Sequence, residues 1–99
     1  MEKMVYEYPA GASAAGRALA GVVGSGDLEV LLEPLPAGRS TVAITTSVNG
    51  MGRIWEAVLT RLFTGAVLPA AHIEINDCGA TPGVVRLRIE QAFEEAART

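Results

Sequence analysis

The chain is poor in the residue types on which most catalytic and metal chemistry depends. It has a single cysteine, Cys78, so no disulfide can staple the fold, and no C-x-x-C or Cys/His spacing points to zinc. A lone thiol in Asp77-Cys78-Gly79 reads as a small residue filling a turn, reduced as in a cytosolic protein. His72 is the one histidine available as a base. Basic residues are sparse: 8 Lys and Arg stand against 11 Asp and Glu, a formal net charge of −3. A nucleic-acid partner is disfavoured, because phosphate binding needs clustered cations. A membrane span is not expected either. The Ala/Gly-rich stretch from Ala10 to Gly26 contains Arg17 and is short and broken by glycine. The first eight residues carry two glutamates and no apolar segment, unlike a signal peptide, so a cytoplasmic location is expected. The phosphate-cradle motifs G-x-G-x-x-G and G-K-[ST] do not occur.

What the chain does have is alternation. Ninety-nine residues, 49% hydrophobic and 19% charged, make one small globular domain over residues 1–99. Met4, Tyr6 and Tyr8 alternate with Val5 and Glu7, a strand that Pro9 stops. Gly11 to Gly16 reads as a loop, and Arg17 to Val23 as a possible strand. Asp27 to Glu33 places Leu28, Val30 and Leu32 on one face. Pro34 to Gly38 is a turn. Thr41 to Val48 alternates again, with Val42, Ile44 and Val48 sharing a face. After Asn49-Gly50 the period changes. Met51, Ile54, Trp55, Val58 and Leu62, widened by Leu59 and Phe63, predict a helix over Met51 to Thr64, with Gly65 as its stop. Ala71 to Asp77 is a strand with Ile73 and Ile75 inward and His72, Glu74 and Asn76 outward. Thr81-Pro82 reads as an N-cap and first helical residue. Val85, Ile89, Ala92 and Ala96 continue as one face of a helix to Arg98, although Val84 to Ile89 also alternates like a strand. The expected fold class is α+β: a two-layer sandwich, mainly antiparallel sheet, with two helices on one face.

The segment Val22-Val23-Gly24-Ser25-Gly26-Asp27 holds a serine at the tip of a glycine-flanked turn between two apolar stretches. Glycine accepts the positive φ that tight hairpins demand. A nucleophilic Ser25 would require a G-x-S-x-G elbow between strand and helix, which this run is not. A triad would have to recruit His72, with Asp27 or Asp77 to orient it. Paired carboxylates for acid–base work are not evident: Glu29 and Glu33 look solvated, and Glu90, Glu94 and Glu95 fall on the outer face of the last helix. Arg86 and Arg88 pair with those acids or meet a partner's; the sequence leaves both open. A hydroxyl held out without a local base suits a residue that carries something. Gly-Ser-Gly is also what an idle flexible turn looks like.

The run from Gly16 to Val30 resembles the acyl carrier (delta) subunit family of bacterial malonate decarboxylase. So do Ile44 to Val48 and the tail from Gly79 to Ala96, and the resemblance covers essentially the whole chain. The carrier subunit of citrate lyase is a more distant look-alike. The resemblance implies that Ser25 bears phosphoribosyl-dephospho-CoA through a phosphodiester. Gly24 and Gly26 would let a modifying enzyme's donor phosphate approach the backbone, and Asp27 either supports the turn through a local side-chain to backbone hydrogen bond or starts the strand. It implies that the arm's thiol holds acetyl and then malonyl as a thioester, and that the carrier performs no chemistry itself. The implied partners are a malonate/acetyl transferase subunit, decarboxylase subunits and a prosthetic-group transferase. Ordinary acyl carrier proteins are acidic four-helix bundles with Asp-Ser-Leu at a helix start. This chain has no Asp-Ser-Leu and reads as strand-rich, so the four-helix fold is not expected. A citrate lyase-type carrier, a non-carrier interaction module and a small hydrolase using Ser25 and His72 are the alternatives.

Overall fold

The computed structural model of the chain describes residues 1–98. The alternating segments form five strands and the two 3.6-periodic segments form helices: β1 (Glu2–Pro9), β2 (Ala18–Gly21), β3 (Asp27–Pro34), β4 (Arg39–Thr46), α1 (Gly52–Gly65), β5 (Ala71–Cys78) and α2 (Pro82–Ala97). The strands make one sheet in the order β1-β4-β5-β3-β2. Three of its four pairings are antiparallel, and that of β4 with the central strand β5 is parallel. A parallel pair needs a crossover, and α1 supplies it. The class is the expected α+β sandwich. The position of β5 is new. It inserts between β3 and β4, so the Pro34–Gly38 turn joins strands that are not neighbours.

Both helices cover one face. Leu28, Val30, Leu32, Val42, Ile44, Ile73 and Ile75 are buried on the inner side of the sheet. Trp55, Leu59 and Phe63 of α1, with Val85, Ile89, Ala92 and Ala96 of α2, close the core from above. Phe63 stacks on Tyr8 with ring centroids 4.7 Å apart and meets Phe93 edge-on at 6.2 Å, the two geometries that aromatic quadrupoles favour. The buried stripe of α1 is therefore centred on Trp55, Leu59 and Phe63, while Ile54 is 42% exposed.

Local chemistry sets the helix boundaries. The Thr81 side chain accepts from the Val84 amide at 3.3 Å, and Pro82 occupies the first turn, where its missing N–H is no loss. Val84 to Ile89 is thus helical: the cap and the Val85/Ile89/Ala92/Ala96 stripe outweigh the local alternation. α1 has no side-chain cap at Met51 and ends where Ala66 turns extended. Two strand boundaries differ from expectation. β2 stops at Gly21, well short of Val23, and Val48 lies beyond β4, which ends at Thr46, and is 37% exposed.

Candidate functional site

The register gathers three loops at one end of the sheet. Thr46 at the end of β4 pairs with Asp77 of β5, and Asp27 at the start of β3 pairs with Cys78. Residues 22–26, 47–51 and 79–81 therefore emerge side by side. The first of these loops carries Ser25.

The loop is wider than a two-residue hairpin. Gly21 is the last residue of β2 to pair, with Glu29. Gly21 has φ +77°, and a Cβ built there would stand 2.0 Å from the Leu28 carbonyl oxygen. A side chain at 21 would therefore collide with backbone, so only glycine fits at this last paired position of β2. At the tip, the Asp27 amide donates to the Gly24 carbonyl at 3.0 Å, closing a β-turn with Ser25 second and Gly26 third. Gly26 has φ +75°, the positive value that a type II turn requires at its third position. Gly24 has no such φ, so of the two flanking glycines only Gly26 is demanded by the turn. The Gly26 amide donates to the Cys78 carbonyl at 2.7 Å, which ties the tip to β5.

Asp27 fastens the other side. Its carboxylate accepts from Arg88 Nε at 3.1 Å and from Arg88 Nη2 at 2.9 Å, and from the Leu28 amide at 2.7 Å. The Arg88 guanidinium, and then the Leu28 amide, hold the Asp27 carboxyl below its ordinary range. Charge-assisted forks of this kind combine strength with fixed geometry. Arg88 lies along α2, and its Cδ is 3.2 Å from where a Cβ at Gly21 would be. One arginine thus fastens the Asp27 end of the loop and runs its stem beside the Gly21 end. It resolves the choice left open for Arg88, whose acidic partner is Asp27. Arg86 makes the helix-surface pair with Glu90, at 3.7 Å. Nothing local in sequence links positions 27 and 88; only packing α2 over β2 and β3 makes them neighbours.

Ser25 itself is exposed, and its hydroxyl makes no hydrogen bond among the described residues. A Cβ at Gly26 would meet nothing within 4 Å, and one at Gly24 only Val22 Cγ2 at 4.0 Å. There is open space on both sides of the hydroxyl, so the residues present fit a bulky group attached there. Val22 and Val23 beside it are 64% and 61% exposed.

The triad members do not converge. Along β5, His72 and Cys78 are six residues apart, roughly 20 Å at strand rise, and the Ser25 turn sits at Cys78. His72 Nδ1 is 2.6 Å from Thr41 Oγ1. Asp27 is taken by Arg88. Asp77 is buried and accepts from Thr46 Oγ1 at 2.7 Å, the Ala80 amide at 3.0 Å and the Gly79 amide at 3.3 Å. It organises the turn into α2 and orients no base. The geometry is an exposed hydroxyl on a braced turn, an arrangement that suits a carrier and assembles no triad.

The comparisons name that carrier. Residues 15–96 match the family model described as acyl carrier protein, malonate decarboxylase delta subunit (MdcD), and the chain belongs to this family. A malonate decarboxylase acyl carrier protein of Pseudomonas paraeruginosa is 62% identical over 96 residues, 97% of each chain. The protein of that name from Azotobacter vinelandii is 57% identical over 97 residues, 98% of each. Among solved structures, a chain from the crystal structure of a Pseudomonas malonate decarboxylase hetero-tetramer in complex with malonate superposes with a TM-score of 0.94. It is 56% identical, and the match covers 97% of this chain and 99% of that one. Among the described residues, no helix is long and apolar enough to cross a membrane, and no group of His, Cys, Asp and Glu is placed to hold a metal ion.

Proposed function

We propose that Ser25 is the attachment point of phosphoribosyl-dephospho-CoA, joined through a phosphodiester, and that the chain carries acyl groups between active sites of a malonate decarboxylase. The observation that carries this reading is the exposed Ser25 hydroxyl on a turn fixed by Gly26–Cys78 and Asp27–Arg88, in a chain of the delta subunit family. The group supplies the thiol on which acetyl and malonyl are held as thioesters. The protein's own work is mechanical. Gly24 and Gly26 keep the surroundings of Ser25 free of side chains, so that a prosthetic-group transferase can bring its donor phosphate to the oxygen. The brace keeps the root of the arm in one place, and the tether raises the local concentration of the acyl group at each site it visits. The partners are the transferase subunit that exchanges acetate for malonate and the decarboxylase subunits. Assembly of the solved relative as a hetero-tetramer supports such companions.

Intact-mass measurement tests this reading on the full chain produced together with its prosthetic-group synthesis and transfer enzymes. The expected result is a mass increase equal to one phosphoribosyl-dephospho-CoA unit, mapped to the peptide containing Ser25 and absent from Ser25→Ala. An adduct that persists in Ser25→Ala refutes the assignment. Full complex activity in Ser25→Ala would favour an interaction module instead.

A further inference from the structure

A cavity of about 110 Å³ opens at the Ser25 end of the sheet, between the first turns of α1 and α2. Val48, Met51, Ile54, Trp55 and Val85 form its apolar walls, and Asp77 closes one side. Val48 and Ile54 line it while remaining 37% and 42% exposed. Apolar side chains that are half in solvent around a concave space gain from any apolar group that covers them.

Size decides what enters. A water takes up roughly 30 Å³ and a cavity that admits benzene is about 150 Å³. A space of about 110 Å³ therefore holds a short acyl group and excludes a nucleotide. Charge decides which acyl group. A free carboxylate moved into this space would lose its hydration beside apolar walls, with the Asp77 carboxylate nearby and no cation among the lining residues. Desolvation and like charge oppose that; the helix N-termini beside the space attract anions, but the first-turn amides of Ile54 and Val84 are already taken by the Met51 carbonyl and the Thr81 hydroxyl. A neutral acyl group meets neither penalty.

The cavity is also within reach of Ser25. The Gly26 amide bonds the Cys78 carbonyl, and Gly79 lines the cavity. Ser25 to Gly26 and Cys78 to Gly79 are one Cα–Cα step each. The path from Ser25 to the lining therefore spans no more than roughly 15 Å. An extended pantetheine arm on a nucleotide is longer than that.

We infer that this cavity receives the neutral, acetyl-bearing end of the Ser25-borne arm and rejects the malonyl-bearing end. The inference rests on attachment at Ser25. On this account the chain shelters the resting acetyl form from water and leaves the charged form extended for the decarboxylase. Discrimination between the two states of the arm then begins on the carrier itself.

Methyl NMR of the full chain carrying its arm provides the test, with the site of attachment fixed first by intact mass and peptide mapping. Loading with acetyl is expected to shift the methyl signals of Val48, Ile54 and Val85 relative to the free-thiol form. Loading with malonyl should leave them in place. Ile54→Ser, at a position already exposed and so tolerant of a polar residue, should remove the acetyl-induced shift and speed spontaneous acetyl thioester hydrolysis several-fold. With the arm confirmed on Ser25, methyl signals that ignore acetylation, or that move equally for both loads, overturn the inference and leave the attachment intact. An arm found elsewhere than Ser25 overturns both.

Discussion

The two parts of the Ser25 loop are built in opposite ways. Its flanks are fixed: a Cβ at Gly21 would collide with the Leu28 carbonyl, and Asp27 is held in the fork of Arg88. Its tip is open: no atom crowds Gly26, and only the edge of Val22 comes near Gly24. The same residue type therefore serves different ends within six positions. Glycine at 21 is required by the fold, glycine at 26 by the turn, and glycine at 24 by neither. A segment that must present a group needs a stiff base and a clear approach, and here the chain divides those two jobs between neighbouring residues.

Substitutions that blur this division should have graded effects. Gly21→Ala should be the most damaging, since it combines a left-handed φ with a collision against backbone. A loss of roughly 3 kcal/mol or more is expected in urea unfolding, and an unchanged midpoint would show that β2 can end another way. Gly26→Ala adds only the left-handed penalty, about 1 kcal/mol, because its Cβ enters open space. Arg88→Gln loosens the flank without touching the tip. It should slow attachment of the arm at Ser25, by up to about a hundredfold if the hydroxyl loses its orientation, while the far-ultraviolet spectrum stays native. Equal attachment rates would mean that the brace is merely structural.

Acid should act on the same contact. Arg88 lowers the Asp27 carboxyl below its ordinary value of 3.8 in the folded chain. The unfolded state then binds the proton first as pH falls. The contribution of this pair to stability is complete above about pH 4 and is lost as pH drops through the lowered folded-state value. Asp27→Asn should remove that part of the acid limb, seen in unfolding midpoints compared between about pH 5 and pH 2. The smallest effect belongs to Gly24→Ala, within about 0.5 kcal/mol in stability, with any slowing confined to attachment. A large loss of stability there would show that position 24 is as constrained as position 21.

Much of this molecule was legible along the chain. Period-2 alternation located the strands, and the Thr81-Pro82 cap with the stripe Val85, Ile89, Ala92 and Ala96 located α2. The Gly-Ser-Gly tip was visible as a presented hydroxyl. The features that escaped depend on long-range partners. Pairing of β4 with β5 is decided by which strands share the buried layer, and neither strand's own pattern names its neighbour. β2 runs only as far as its pairing with β3 allows, so Val22 and Val23 looked like strand although Gly21 had ended it. Arg88 reads as one more helix-surface cation until α2 is laid across β3. The cavity beside Trp55 is likewise made by two separate stretches, 48–58 and 77–85, which only the fold brings together.

The contacts that hold the Ser25 turn in place also impose an order in time. Cys78, which receives the Gly26 amide, and Arg88, which grips Asp27, are both synthesised more than fifty residues after the serine they steady. A nascent chain that has exposed Ser25 but not yet produced α2 offers a slack, unshaped segment to any modifying enzyme. The turn around Ser25 thus takes its final shape only when the last helix has been made and seated.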